Sequence, residues 1–562
     1  MSPKAVAFKD LPAEILRHVA RILLAGDLQA VAGRRLLLQD SYLSLVRGWR
    51  GIPLGTDLCT PYACCDSYKG ARSGQTALCF QNDLGPYRSS LDFTAVCRSI
   101  RRLILEDALF WGDALLLNPP LLPLALRRAT SIPQPRLAFV GQGGYCLCVL
   151  AKIRQNWKDI VRIVVALPST DEVAQNATSR LIEKDLSEGA PLLQELELRF
   201  DWAYARDETT KKSLIRLPAL QTCSLLNATF AIHGDNMKTL LLAAEDAAYR
   251  WARADIYDVL RRCPRLEVVS LQMVLLDFNS LPAAQRKKYR NAGRVHLPDL
   301  RYLHISDKHL EWMYAESHLT TGPQCRKHLD IIMSMRGDPA LLERAVTTCV
   351  WGMARYESCM AMRLAIDGND TGFDAWPEYL SVSFGDDVES AMAFRDPVHG
   401  ASHGSVTVRN VTFSLDPNEP VPFMKPPRDH LYPESLLRAF LPACKGLGVN
   451  HIHTFIVDAS PAYYMIRRWQ DILPHLWNVR RIIIYGIQSF HSPVLMDVAG
   501  ALVSKTADAS IDPLGLPCRY LHTIHIPDAC DDVPQAAISR LNAALLHHRP
   551  RGHGTQTINW TR

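Results

Sequence analysis

The chain lacks any apolar run long enough to cross a bilayer. Its most apolar segment, residues 114–126, is broken by Pro119, Pro120 and Pro123, whereas a spanning helix needs about 20 apolar residues. The N-terminus, Met-Ser-Pro-Lys-Ala-Val-Ala-Phe-Lys-Asp, has no apolar core of the kind a secretory leader carries. Cysteine is sparse. Its 15 copies in 562 residues form an odd count with irregular spacing, which excludes a disulfide scaffold. These absences predict a cytoplasmic or nuclear chain with reduced thiols and no membrane partner. An excess of one charge is also missing. The 63 basic and 57 acidic residues leave a net charge of +6 with no long block of either sign, so the basic stripe of a nucleic-acid binder is not present.

What remains is an ordinary folding composition, with 48% hydrophobic, 21% charged and 8% aromatic residues. Residues 8–24 predict an amphipathic helix. Asp10 stands at the N-cap position, Pro12 and Glu14 fall in the first turn, and Ile15, Leu16, Val19, Ile22 and Leu23 follow at helical spacing. A second amphipathic stretch, Leu91 to Leu105, turns Phe93, Val96, Cys97, Ile100 and Leu103 inward and leads to Leu109-Phe110-Trp111.

The string Leu11-Pro12-Ala13-Glu14-Ile15-Leu16, followed by Leu91, Val96-Cys97-Arg98, Leu103 and Leu109-Phe110-Trp111, resembles the F-box. F-boxes are three-helix modules that dock on the adaptor subunit of cullin–RING ubiquitin ligases. The resemblance implies that Leu11, Pro12, Ile15, Leu16, Leu91, Val96, Cys97, Leu103 and Trp111 contact that adaptor and, through it, a cullin. The two halves are separated by an insertion, residues 26–88, with Cys59, Cys64, Cys65 and Cys79. A zinc site needs two close pairs of ligands, and this spacing lacks the second pair. The insertion reads as a loop.

From residue 150 onward a short pattern returns: an apolar residue, two others, an apolar residue, one other, an apolar residue. Its best copies are Leu193/Leu196/Leu198, Leu220/Cys223/Leu225, Leu266/Val269/Leu271 and Leu300/Leu303/Ile305. Looser copies sit at Ile160/Ile163/Val165, Val408/Val411/Phe413, Ile452/Phe455/Val457, Val479/Ile482/Ile484 and Leu521/Ile524/Ile526. Helical stretches at 178–187 and 254–262 precede two of them, each followed by proline, which stops a helix. The pattern resembles the leucine-rich repeat, and the whole resembles fungal-type F-box proteins with irregular repeats of that kind. Spacings of 27, 46 and 34 between the best copies depart from the usual range of about 20 to 29.

The expected fold is an α+β or α/β repeat: an N-terminal helical F-box-like module followed by an irregular leucine-rich-repeat-like solenoid. The expected divisions are 1–115 for the module, 116–310 for a first repeat arc, 311–374 for a helical bridge, 375–545 for a second arc and 546–562 for a basic tail.

Catalytic patterns are poorly supported. Gly400-Ala401-Ser402-His403-Gly404 formally fits a nucleophile elbow, but helix and strand flank it in the reverse order. The glycines at 141, 143 and 144 lack the third glycine and the acidic residue of a dinucleotide site. His451 and His453 have no evident third ligand. The expectation is therefore a non-enzyme with no catalytic residue, no metal site and no cofactor. It would be the substrate receptor of a ubiquitin ligase, with an unknown protein target held by outward strand positions, chiefly Arg301, Tyr302 and His304. A repeat scaffold that binds partners without any ligase remains the alternative.

Overall fold

The computed structural model describes residues 12–31, 93, 95–115, 122–140, 154–167, 186, 190–200, 214–244, 249–276, 293–307, 318–333, 339–354, 360–368, 377–385, 409–415, 439–443, 452–458, 469–485, 492–503, 518–527, 535–547 and 557–561, less 229, 323, 477 and 519. Leu11, Leu91, residues 32–88 of the insertion, Gly141–Gly144, most of 178–187 and Gly400–Gly404 lie outside the described residues. The described chain divides into two compact units, the first ending at Leu300 and the second starting at Arg301.

The first unit begins with helices α1 (Ala13–Val31), α2 (Arg98–Leu105), α3 (Ala108–Asp113) and α4 (Leu122–Ala129). On α1, Leu16, Ala20 and Leu24 recur every four residues and are buried, which turns one stripe of the helix onto α2 and α3. Asp107 caps α3 by accepting from the backbone N–H groups of Leu109 and Phe110. Trp111 is buried and donates its indole N–H to the carbonyl of Ile104 at 2.9 Å.

Six strands follow in one parallel sheet: β1 (Leu137–Val140), β2 (Ile160–Leu167), β3 (Glu195–Phe200), β5 (Thr222–Leu226), β7 (Thr239–Ala243) and β8 (Val268–Gln272), paired in that order. Beside them β4 (Leu214–Arg216) and β6 (Ala231–His233) make a short parallel pair. Helix α5 (Arg253–Arg261) precedes β8, and β9 (Val295–Leu297) closes the unit. The register aligns Ile163, Leu196, Cys223, Leu240 and Val269 in one buried column. On the opposite face Val164, Glu197, Ser224, Leu241 and Ser270 form another, also buried. Burial of both faces is the usual state of a parallel sheet.

Among the described residues of the second unit, nine strands pair side by side: β10 (Tyr302–Asp307), β12 (Arg326–Met333), β13 (Ala361–Gly368), β14 (Pro377–Gly385), β15 (Arg409–Leu415), β16 (Thr454–Asp458), β17 (Arg481–Tyr485), β18 (Thr523–Pro527) and β19 (Thr557–Thr561). Their spatial order is β10-β12-β15-β14-β13-β16-β17-β18-β19. All neighbours are parallel except β13 with β14 and β14 with β15. The unit also holds a short strand β11 (Leu319–Thr321) and helices α6 (Pro339–Ala354), α7 (Trp469–Ile472), α8 (Ser492–Val503) and α9 (Gln535–His547). Phe455, Ile482 and Ile524 make one buried column, and Trp469 packs its edge against Phe455 with ring centroids 6.2 Å apart.

The expected fold class is corrected by this architecture. The chain is an α/β structure dominated by a large, mostly parallel sheet, with few and scattered helices among the described residues. The N-terminal helices are not a separate module followed by a solenoid. They belong to the same compact unit as β1 to β8, and α3 packs directly on β1. Gly112 shows how closely: a Cβ there would lie 2.1 Å from the carbonyl oxygen of Arg136, the residue before β1. The physical reason is that each of the nine apolar-patterned segments lies on a strand that pairs with neighbouring strands of its own unit. Residues 311–374, expected as a helical bridge, hold β12 and β13, with α6 the one helix there among the described residues, and β19 lies in the expected basic tail. No helix among the described residues is long and apolar enough to cross a membrane.

Candidate functional site

Two places in the described chain carry side chains whose setting departs from ordinary core or ordinary surface. The first is the outer side of α1. Leu16, Ala20 and Leu24 are buried, but Pro12, Ile15 and Ile22 are exposed, the two isoleucines at 46% and 57%. Ile15 and Ile22 are seven residues apart and so lie on one side of the helix, with half-buried Val19 between them. The helix thus has an inner apolar stripe that the unit covers and an outer one that it does not.

The residues expected to meet an adaptor divide accordingly. Pro12, Ile15 and Val96 are exposed, and Cys97 and Leu103 are half-buried. Leu16 and Trp111 are buried, and this corrects their expected role. Leu16 faces the helical core, and Trp111 is held by its bond to Ile104 with the Arg128 guanidinium 5.7 Å from its ring centre. Val96 was expected to face inward; the inward residues are Phe93, Ile100 and Ile104.

The second place is one face of the second unit's sheet. Parallel register sets His304 of β10 beside His328 of β12, and Ser306 beside Asp330. Side chains two apart on a strand share a face, so the four residues stand together. His304 Nε2 is 3.1 Å from one carboxylate oxygen of Asp330, and His328 Nε2 is 2.5 Å from the other. The two imidazoles meet edge to face with centroids 4.8 Å apart. All four residues are buried.

Burial by itself would raise the Asp330 carboxyl. The adjacent His328 and His304 outweigh it and bring the group down to about 2. Burial lowers the His304 imidazole, partly opposed by its hydrogen bond to Asp330. The two nitrogens and the carboxylate lie within 4.8 Å of one another, the spacing from which a cation can be held. No metal was expected, and neither His328 nor Asp330 was singled out. The signal available in the sequence was His328-x-Asp330 on an alternating segment, 24 residues after His304.

Of the residues expected to hold a target, Arg301 is exposed and Tyr302 is half-buried. His304 is 1% exposed, which corrects its expected role: its ring is taken up by Asp330 and His328 inside the protein. The other outward positions behave in the same mixed way. Glu197 and Gln272 are buried, and Glu195 pairs with Arg162 at 2.9 Å. Arg480 and His522 are exposed, and half-buried His525 lies 3.1 Å from the Arg481 guanidinium.

Comparison of the chain with protein-family models, with curated proteins and with solved structures yields no match.

Proposed function

We propose that the chain is a substrate-receptor subunit of a cullin–RING ubiquitin ligase, docking on the adaptor through the outer side of α1. The observation that carries this reading is exposed Ile15 and Ile22 on a helix whose other apolar stripe is already buried, with exposed Pro12 just before its first turn. Exposed apolar side chains that line up on one helix are the anchors of helix-in-groove recognition. Two of the three fall in the string that resembles the F-box. A few such anchors supply most of the energy of an interface, each costing about 2 kcal/mol or more on truncation.

The mechanism is tethering. The adaptor holds the chain, the chain holds a target, and a lysine of the target meets the charged conjugating enzyme at high effective concentration. The exposed polar residues Arg301 and Tyr302 at the start of β10, and Arg480 and His522 near β17 and β18, are of the mixed character that suits a protein surface.

Co-expression of the full chain with the ligase adaptor tests the reading. Wild type retains the adaptor through purification, and Ile15→Asp combined with Ile22→Asp loses it while melting as wild type does. A chain that never retains adaptor, or a double variant that retains it fully, contradicts the proposal. Retention of other proteins by a chain that refuses the adaptor favours a scaffold without ligase function.

A further inference from the structure

We propose that His304, His328 and Asp330 form a binding site for a divalent transition-metal ion of the zinc type. The inference is independent of adaptor docking.

Residue types come first. Two imidazoles and one carboxylate are a recurrent donor set for zinc, with bonds of about 2.0 to 2.2 Å and an open fourth position. Ligand atoms on a tetrahedral ion with such bonds lie roughly 3.4 Å from one another. The three donors here are within 4.8 Å of one another, with nitrogen-to-oxygen separations of 3.1 and 2.5 Å. Both nitrogen-to-oxygen contacts are shorter than that spacing, so an ion would replace these two hydrogen bonds and spread the three donors around itself. Among the described residues no other group of His, Cys, Asp or Glu side chains is placed this way.

Location is the second argument. The donors come from two adjacent, hydrogen-bonded strands in register, so their Cα positions are fixed before any ion arrives. Their side chains are 2–4% exposed. A buried carboxylate is costly unless paired or coordinated. The two imidazoles that contact its two oxygens meet edge to face with centroids 4.8 Å apart, so all three donor groups surround one small volume. A divalent ion balances the carboxylate and uses both imidazoles in their neutral form.

The third observation is Ser306. It lies opposite Asp330 in the register, is fully buried, and its hydroxyl has no hydrogen-bond partner. Buried hydroxyls are rarely left so. A water on the ion's open position would give this hydroxyl a partner, which accounts for a serine at that position on the same face.

Zn2+ and Co2+, each alone, are the probes. Chelator-stripped full-length protein should bind Zn2+ stoichiometrically, and its melting temperature should rise with Zn2+ concentration, as expected of a ligand that binds the native state. Co2+ should give visible ligand-field bands without the near-ultraviolet thiolate charge-transfer band that any of the 15 cysteines would produce. His328→Gln and, separately, Asp330→Asn should weaken Zn2+ binding by more than the roughly 10- to 100-fold that outer-shell changes cost. If either variant fails to fold, the wild-type Co2+ spectrum and the Zn2+-dependent melting shift decide the matter. Absence of stoichiometric binding by wild type, a thiolate band in its Co2+ spectrum, or undiminished binding by a folded His328→Gln protein would each overturn the assignment.

Discussion

Arg21 reaches across 86 residues of sequence to Asp107, donating to both carboxylate oxygens at 2.9 to 3.2 Å. Asp107 simultaneously accepts from the first N–H groups of α3. One carboxylate therefore caps one helix and clamps another, and this fixes how α1 presents its outer stripe.

Asp107→Ala should lower stability by about 0.5–2 kcal/mol. Loss of an N-cap accounts for about 0.5–2 kcal/mol, and the ion pair adds little because Arg21 is 44% exposed. Asp107→Asn keeps an N-cap acceptor and should lose less. Urea unfolding of the three proteins measures this, and equal midpoints for wild type and Asp107→Ala would show that the clamp is idle.

Gly112→Ala should also destabilise, despite alanine being the better helix former by about 1 kcal/mol. The new methyl would lie 2.1 Å from the Arg136 carbonyl oxygen, a backbone atom that cannot move without displacing β1. Overpacking of this kind costs about 1–3 kcal/mol. A thermal melt at or above that of wild type would show that α3 can lift away from β1.

His233, at the end of β6, gives stability a pH dependence. Burial lowers its pKa, the nearby Arg262 and Arg216 lower it further, and Asp235 opposes them. Its Nδ1 is buried without a hydrogen-bond partner. The unfolded imidazole titrates near about 6.5. As pH falls below that value the unfolded chain gains a proton that the folded chain does not, so stability falls until the pH passes the lower folded value. His233→Leu should lose less stability than wild type between pH 7.5 and pH 5 (about the titration range of histidine), as followed by melting temperature. Parallel curves would remove His233 from the account.

Much of the strand framework was legible in the sequence. Leu196 and Leu198, Val269 and Leu271, and Ile482 and Ile484 are the alternating apolar positions of their segments, and each is at most 2% exposed. Their order in space was harder to read. The sheet runs β12-β15-β14-β13-β16 because β14 and β15 double back, and no local signal sets that exchange. Nor was the site legible. His304 and Asp330 are 26 residues apart, and only the parallel register of β10 with β12 makes them neighbours. Alternation predicted that His304 would face away from the leucines, as it does, but equated that side with solvent. In a parallel sheet the second face is usually covered as well.

This distinction separates His304 from its neighbours. Arg301→Ala with Tyr302→Ala should leave stability within about 0.5 kcal/mol, the usual range for surface changes, and should weaken target capture. His304→Ala should cost about 1–3 kcal/mol, because it removes a partner from a buried charge. Chemical denaturation of both proteins provides the comparison. Equal losses would mean that all three side chains share one environment.

The docking of α1 is tested most directly by amide hydrogen exchange of the full chain with and without the ligase adaptor. Adaptor binding should slow exchange over residues 12–25, which hold Pro12 and the α1 residues Ile15 and Ile22, and leave β16 to β18 unchanged. Unaltered exchange across 12–25 at saturating adaptor, or protection confined to the strands, would contradict the account.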